Sequence, residues 1–203
     1  SLNEVISNLA AIPSLFRLMS ICPIADLDFE NTFKGLRSAL LSNFNKLENS
    51  TAFLKFQSSL ALQCFTNEYV YNVTDREKDE ILKLDRLIER TLLAGQQPDS
   101  KAVLVLASYQ ALNDFKWARS LIRSVELEDV IRRQIIEPEK ENRIRLNIKC
   151  FNNISDSVSS TVREQYEIHP YPRWVNLGLS PRKLSINEVL RGLKLKLFDE
   201  NIY

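Results

Sequence analysis

The sequence predicts an all-α fold: an irregular multi-helix bundle with an extended proline-rich arm and a short C-terminal helix. Three observations lead there. Apolar residues recur at three- and four-residue spacing through most of the chain. Ser, Thr or Asp stands ahead of these runs, and Ser1/Glu4, Thr74/Glu77 and Ser185/Glu188 have the spacing of a capping box. The 203 residues include four glycines, too few for a chain built on hairpin turns or phosphate-cradling loops.

The first helix opens at Ser1 and turns Leu2, Val5, Ile6 and Leu9 inward. Pro13 suits the first turn of a short second helix through Ser20, which Cys22-Pro23 ends. Asp26 or Asp28 caps a third, with Phe29, Phe33, Leu36, Leu40 and Phe44 in phase. Ser50 caps the next, expected to run to about Tyr71. Its Phe53, Phe56, Leu60, Ala61, Cys64, Phe65 and Tyr69 surround much of the circumference, as in a central buried helix.

Thr74 opens a helix with Ile81, Leu84, Ile88 and Leu92 on one face and an Asp79/Lys83 pair on the other. Gly95 is a natural stop. Ser100 opens a run from Lys101 to Asn113. Its Val103–Ser108 stretch has a rival reading as a buried strand of a nucleotide-binding unit. Tyr109-Gln110-Ala111 follows instead of G-x-G, which favours the helix. Trp117–Arg123 and Glu126–Glu137 complete the body, and Pro138 interrupts or restarts it. Ile144, Leu146 and Ile148 alternate and read as an extended connector. Beyond a polar turn, Asp156 caps a helix through Val158, Val162 and Tyr166. Ser185 caps a last one with Ile186, Val189, Leu190 and Leu193 inward. The expected division is a helical body over 1–150 and an arm with a linker helix over 151–203. No repeat supports a solenoid.

Basic and acidic residues balance at 27 and 26, interspersed, which disfavours a nucleic-acid partner. Arg119, Arg123, Arg132 and Arg133 cluster, but Glu126, Glu128 and Asp129 stand close enough to make this a solvated helix face. Cys22, Cys64 and Cys150 are odd in number and far apart, so reduced thiols and a cytoplasmic location are expected. One histidine rules against a His-rich metal site. No apolar run reaches membrane-spanning length, so no membrane partner is expected.

The sharpest candidates are Tyr166, Tyr171, Arg173 and Trp174. Pro170 and Pro172 force extended backbone at His169 and Tyr171 and stiffen the arm. Aromatics on a stiff arm can cover a flat ligand, and a guanidinium can grip a carboxylate or phosphate. The competing reading is a clamp that fastens the arm to the helical body. His169 has no evident carboxylate or nucleophile beside it, Cys64 reads as packing, and Glu68 reads as a structural hydrogen-bonder at the end of its helix.

The run Val162-Arg163-Glu164-Gln165-Tyr166-Glu167-Ile168-His169-Pro170-Tyr171-Pro172-Arg173-Trp174 resembles a segment of a bacterial family of S-adenosylmethionine-dependent methyltransferases, often preceded by tetratricopeptide repeats. Gln63–Val70 resembles that family's buried-helix motif, and Arg132–Pro138 a stretch placed before the arm. Ile154–Ser159 extends the likeness, while Ile168-His169 departs from the usual Glu-Asn. In the family the arm leads into a catalytic domain that begins with a strand and a glycine-rich turn. This chain reaches Tyr203 without that turn.

The resemblance therefore implies a non-catalytic accessory domain that serves in substrate selection, as a lid or in assembly. No cofactor is expected in this chain, and S-adenosylmethionine is expected for the full-length protein. The implied partner is a catalytic methyltransferase domain in the same polypeptide, with a further protein partner or a homo-oligomer open. Tyr166, Tyr171, Arg173 and Trp174 would then lie at the cofactor or substrate entrance. The alternative is a free-standing helical protein–protein interaction module. A small hydrolase is disfavoured because no nucleophile–base pair stands out.

Overall fold

The computed structural model describes residues 2–46, 50–148, 156–168, 175 and 184–192; these form helices and connectors, with no strand among them. The helices are α1 (Leu2–Ala10), α2 (Pro13–Ile21), α3 (Leu27–Asn43), α4 (Thr51–Thr66), α5 (Asp75–Leu93), α6 (Ser100–Ala107), α7 (Glu128–Ile131), α8 (Glu137–Arg145), α9 (Ser157–Ile168) and α10 (Ile186–Gly192). The fold is all-α, as the periodicity predicts.

Helix α4 is the axis of the body. It packs against α1, α2, α6 and α7, so every residue from Ser59 to Thr66 is buried. Phe56, Leu60, Ala61 and Cys64 are fully buried, and the Phe56 ring meets Phe16 of α2 with centroids 5.9 Å apart. Helix α3 packs on α5 and α6, bringing Phe33, Leu36, Leu40 and Leu41 into the same core. The Val103–Ser108 stretch is helix α6 and its C-cap, not a strand, and every residue from Ala102 to Ala107 is buried. That explains its unbroken apolar run: it is enclosed on all sides.

Local chemistry sets most starts. The Asp26 carboxylate accepts from the Asp28 and Phe29 N–H groups at 3.1 Å each. The Ser50 hydroxyl caps α4 through Phe53 N–H. Thr74 and Glu77 form a complete capping box, with Glu77 N–H donating to Thr74 Oγ1 at 3.2 Å and Thr74 N–H donating to Glu77 Oε2 at 2.9 Å. The Ser185/Glu188 box also closes. Asp156 caps α9 through Ser159 N–H. Ser1 lies outside the described residues.

Several expectations need correction. Helix α4 stops at Thr66, five residues early, because the chain turns sharply at Glu68 and Tyr69. Asp99, not Ser100, caps α6, which ends at Ala107 rather than continuing to Asn113. Trp117–Arg123 holds one 3-10 turn, Ala118–Ser120. Gln97 clamps it, donating to Ser120 O at 3.1 Å and accepting from Ile122 N–H at 2.8 Å. Ile144 belongs to α8 and Leu146 caps it, so this stretch is helix end and turn rather than an extended connector. Lys83 pairs with Glu80 at 2.9 Å instead of Asp79.

Pro138 neither breaks nor restarts the helix. Residues Arg132–Ile136 form a π-helical stretch in which Glu137 N–H donates to Arg132 O, and α8 follows directly. A proline lacks an N–H for the carbonyl four residues back, and its ring crowds that carbonyl. Widening the preceding turn accommodates both.

The inward phase expected for the last helix is not met: Ile186 and Val189 are exposed, and Leu190 is half-buried. Val158, Val162 and Tyr166 of α9 are exposed too. No described element packs over either stripe extensively enough to bury it. Leu193 lies outside the described residues. Val5 and Phe29 face outward more than their spacing suggests. No single described helix is long and apolar enough to cross a membrane.

Candidate functional site

The end of α4 is the most unusual place in the described backbone. Glu68 and Tyr69 both have left-handed backbone, with φ of 56° and 54°. Residues with side chains avoid this region, and two consecutive ones are held there only if the surroundings compel it. The turn satisfies the last carbonyls of α4: Tyr69 N–H donates to Cys64 O at 2.8 Å and Glu68 N–H to Phe65 O at 3.2 Å. This is a Schellman arrangement with glutamate where glycine is usual.

What compels it comes from the core. Arg37 of α3 is fully buried and donates to the carbonyls of Tyr71 at 3.3 Å, Asn72 at 3.1 Å and Ser108 at 3.4 Å. Its guanidinium lies over the Tyr109 ring, 4.2 Å from the centroid, and 5.4 Å from that of Tyr71. The Tyr109 hydroxyl in turn donates to Glu77 Oε1 at 2.7 Å. A chain of contacts thus runs from the capping box of α5 through Tyr109 and Arg37 to the backbone just past the turn. Asn67 Oδ1, Tyr71 Oη and Arg37 Nε are buried there without a well-formed hydrogen bond.

A second anchor comes from the π-helical stretch. The buried Gln134 amide donates to Ala61 O at 3.3 Å and Ala107 O at 3.0 Å, and accepts from Leu112 N–H at 3.1 Å. Ala107 O also accepts from the Tyr69 hydroxyl at 3.2 Å. One carbonyl at the end of α6 therefore joins the left-handed turn to the π-helix. Beside it, Arg133 reaches over the Phe65 ring at 6.0 Å and donates to Ser20 O at 3.1 Å. Gln63, with its amide oriented to match donors with acceptors, holds the loop after α2 through Met19 O, Cys22 O and Ile24 N–H at 2.9–3.0 Å.

Protonation states fit a structural network. Burial pushes the Cys64 thiol up to about 12 despite the nearby Arg37 charge, so it stays protonated and is a poor nucleophile near neutral pH. Burial likewise lifts Tyr71 to about 12. Burial and the bond to Glu77 both raise Tyr109. Burial also acts to raise Glu77, but hydrogen bonds from Thr74, Tyr109 and Ser38 outweigh it and hold the carboxyl at about 2. Among the described residues no group of His, Cys, Asp and Glu is arranged to hold a metal.

Of the expected site residues, Tyr166 lies on α9 and is 61% exposed. Tyr171, Arg173, Trp174 and His169 lie outside the described residues. The arginine cluster is corrected in part. Arg119 pairs with Glu139, Arg123 with Glu128, and Arg132 with Asp129 and Glu137, as on a solvated face. Arg133 is buried instead. Sequence reasoning missed Arg37, Tyr109 and Gln134, and read Glu77 as half of a capping box without its bond to Tyr109. The available signal was a charged residue inside the Phe33–Leu40 stripe and an amide at helical spacing from Val130 and Ile131.

Comparison with family models, curated proteins and solved structures finds no match to this chain.

Proposed function

We propose that this chain is a non-catalytic helical accessory domain that docks against a class I methyltransferase catalytic domain and contributes to substrate selection, a lid or assembly. One observation carries the reading: segments far apart in sequence that bear the resemblance converge in space. Phe65, of the Gln63–Val70 segment, lies under Arg133 of Arg132–Pro138. Gln134 of the second segment bonds Ala61 and Ala107, the latter shared with Tyr69 of the first. Val175, directly after the Tyr-Pro arm, lines a cavity of about 180 Å³ together with Leu62 and Arg133. The exposed Val158, Val162 and Tyr166 stripe on α9 supplies apolar surface for the docked domain or its ligand.

Titration calorimetry with S-adenosylmethionine tests the non-catalytic part. The chain alone is expected to give no saturable binding, and micromolar binding would overturn the reading. In a polypeptide that joins the chain to the catalytic domain, Tyr166→Ala and Arg173→Ala are expected to weaken cofactor or substrate binding. If the arm is a clamp, the same changes lower stability and leave binding intact.

The second reading, a free-standing protein–protein interaction module, draws on a different observation: a basic, apolar-floored groove along α5.

A further inference from the structure

Helix α5 turns Leu84 and Ile88 into the core but leaves part of a neighbouring strip open. Leu87 is 47% exposed. With Leu41 and Phe44 from the end of α3 it floors a cavity of about 420 Å³. A second cavity of about 250 Å³ shares Phe44 and Leu87 and continues along α5 to Thr91 and Pro98. The two form one open groove. Its α5 wall runs from Glu80 to Thr91, about 16 Å at helical rise, the length of a three-turn helix.

The rim is positive. Lys83, Arg86 and Arg90 line it, and Glu80 is the acid on the same wall. Glu80 is engaged by Lys83 at 2.9 Å. At the far end Asp99 is engaged twice, by Lys101 Nζ at 3.5 Å and by Lys101 N–H at 2.9 Å. Arg86 and Arg90 are exposed and have no carboxylate partner among the described residues. They stand one turn apart, flanking Leu87. An apolar floor between unmatched guanidinium groups complements a helix with leucines at i, i+4 and i+7 and carboxylates beside them. Open shape favours a helix over a small molecule, which needs enclosure on more sides.

We propose that this groove is the docking site for an acidic amphipathic helix of a partner protein. The site shares no lining residue with the α4 turn and does not depend on the methyltransferase resemblance.

The test uses the protein as it stands and three-turn helix-stabilised peptides. One carries the leucine spacing with flanking glutamates; its control has lysines in their place. Fluorescence anisotropy is expected to show saturable binding of the glutamate peptide, weakening as salt rises. The lysine peptide is expected to bind at least tenfold more weakly. The double variant Arg86→Glu/Arg90→Glu should lose the glutamate peptide by at least tenfold and gain the lysine peptide, since both side chains are exposed and carry little of the fold. Circular dichroism checks that the variant stays folded; if it does not, Arg90→Gln carries the same comparison with a smaller loss. Failure of the glutamate peptide to saturate, equal binding of both peptides, or binding unchanged in the variants overturns the proposal. None of these results bears on S-adenosylmethionine binding, so this proposal and the accessory-domain reading fail separately.

Discussion

Helices α4 and α5 end with the same hydrogen bonds and opposite chemistry. At α4, Tyr69 N–H reaches Cys64 O and Glu68 N–H reaches Phe65 O. At α5, Gln96 N–H reaches Thr91 O at 3.1 Å and Gly95 N–H reaches Leu92 O at 2.9 Å. Both place a left-handed residue just past the cap. The α5 end uses glycine at φ 75°, at the surface, with open space where a Cβ would go. The α4 end uses glutamate and then tyrosine, against a buried arginine and a buried glutamine. The first turn is encoded locally, by one residue type. The second is imposed by the core, through residues between 31 and 66 positions away in the chain.

If the core imposes the α4 turn, removing its anchors should be costly. Arg37→Ala is expected to destabilise by about 3–5 kcal/mol, from a cavity plus three carbonyls left without their donor. Denaturant unfolding measures this; a loss under 1 kcal/mol would mean the turn holds itself. Gln134→Leu comes next, at about 2 kcal/mol, because Leu112 N–H and the Ala61 carbonyl lose a buried partner while volume is nearly kept. A loss confined to a few tenths would detach the π-helix from the turn.

The same contrast explains what the sequence disclosed. The boundaries with local chemistry were legible: the Thr74 and Ser185 capping boxes, the Pro13 start and the Gly95 stop. The central position of α4 was legible from its all-round apolar pattern. Its end was not, since nothing at Glu68 or Tyr69 marks a left-handed residue. Arg37 was hidden for a related reason. A long polar side chain in an apolar stripe shows its phase but not its partners, and those come from Tyr71, Asn72, Ser108 and Tyr109. Arg132–Pro138 read as plain helix because a π-helical stretch has the same short-range pattern. At α10 the spacing gave the correct helix but wrongly implied a covering surface for Ile186 and Val189.

Acid gives a subtler probe of the anchoring network. The Glu77 carboxyl is held at about 2 in the fold against an ordinary value of 4.5. A depressed carboxyl adds stability that is complete above the unfolded value and is lost as pH falls toward the folded one. The stability tied to Glu77 should therefore be full above about pH 4.5 and fade between there and about pH 2. Glu77→Gln removes this group's titration, so its stability should fall less steeply over that window. Equal slopes in urea unfolding at several pH values would show that the Tyr109–Glu77 bond does not support the folded carboxylate.

The smallest expected effect sharpens the comparison most, because it has opposite signs at the two helix ends. Gly95→Ala should destabilise by about 1 kcal/mol. No atom lies within 4 Å of the added Cβ, so the cost is backbone conformation alone. Glu68→Gly should stabilise by about 0.5 kcal/mol, where relief of left-handed strain exceeds the extra freedom glycine gives the unfolded chain together with the loss of the glutamate's own contacts. Tyr69→Gly should not share the gain. It would delete the hydroxyl bond to Ala107 O and the edge contact with Phe65, whose centroid is 6.3 Å away. Urea unfolding of the three variants under one set of conditions decides the matter. A destabilising Glu68→Gly would mean that the glutamate side chain, not the arginine and glutamine behind it, holds the turn. A stabilising one would mean that the core behind the turn, not the glutamate side chain, holds it in left-handed backbone.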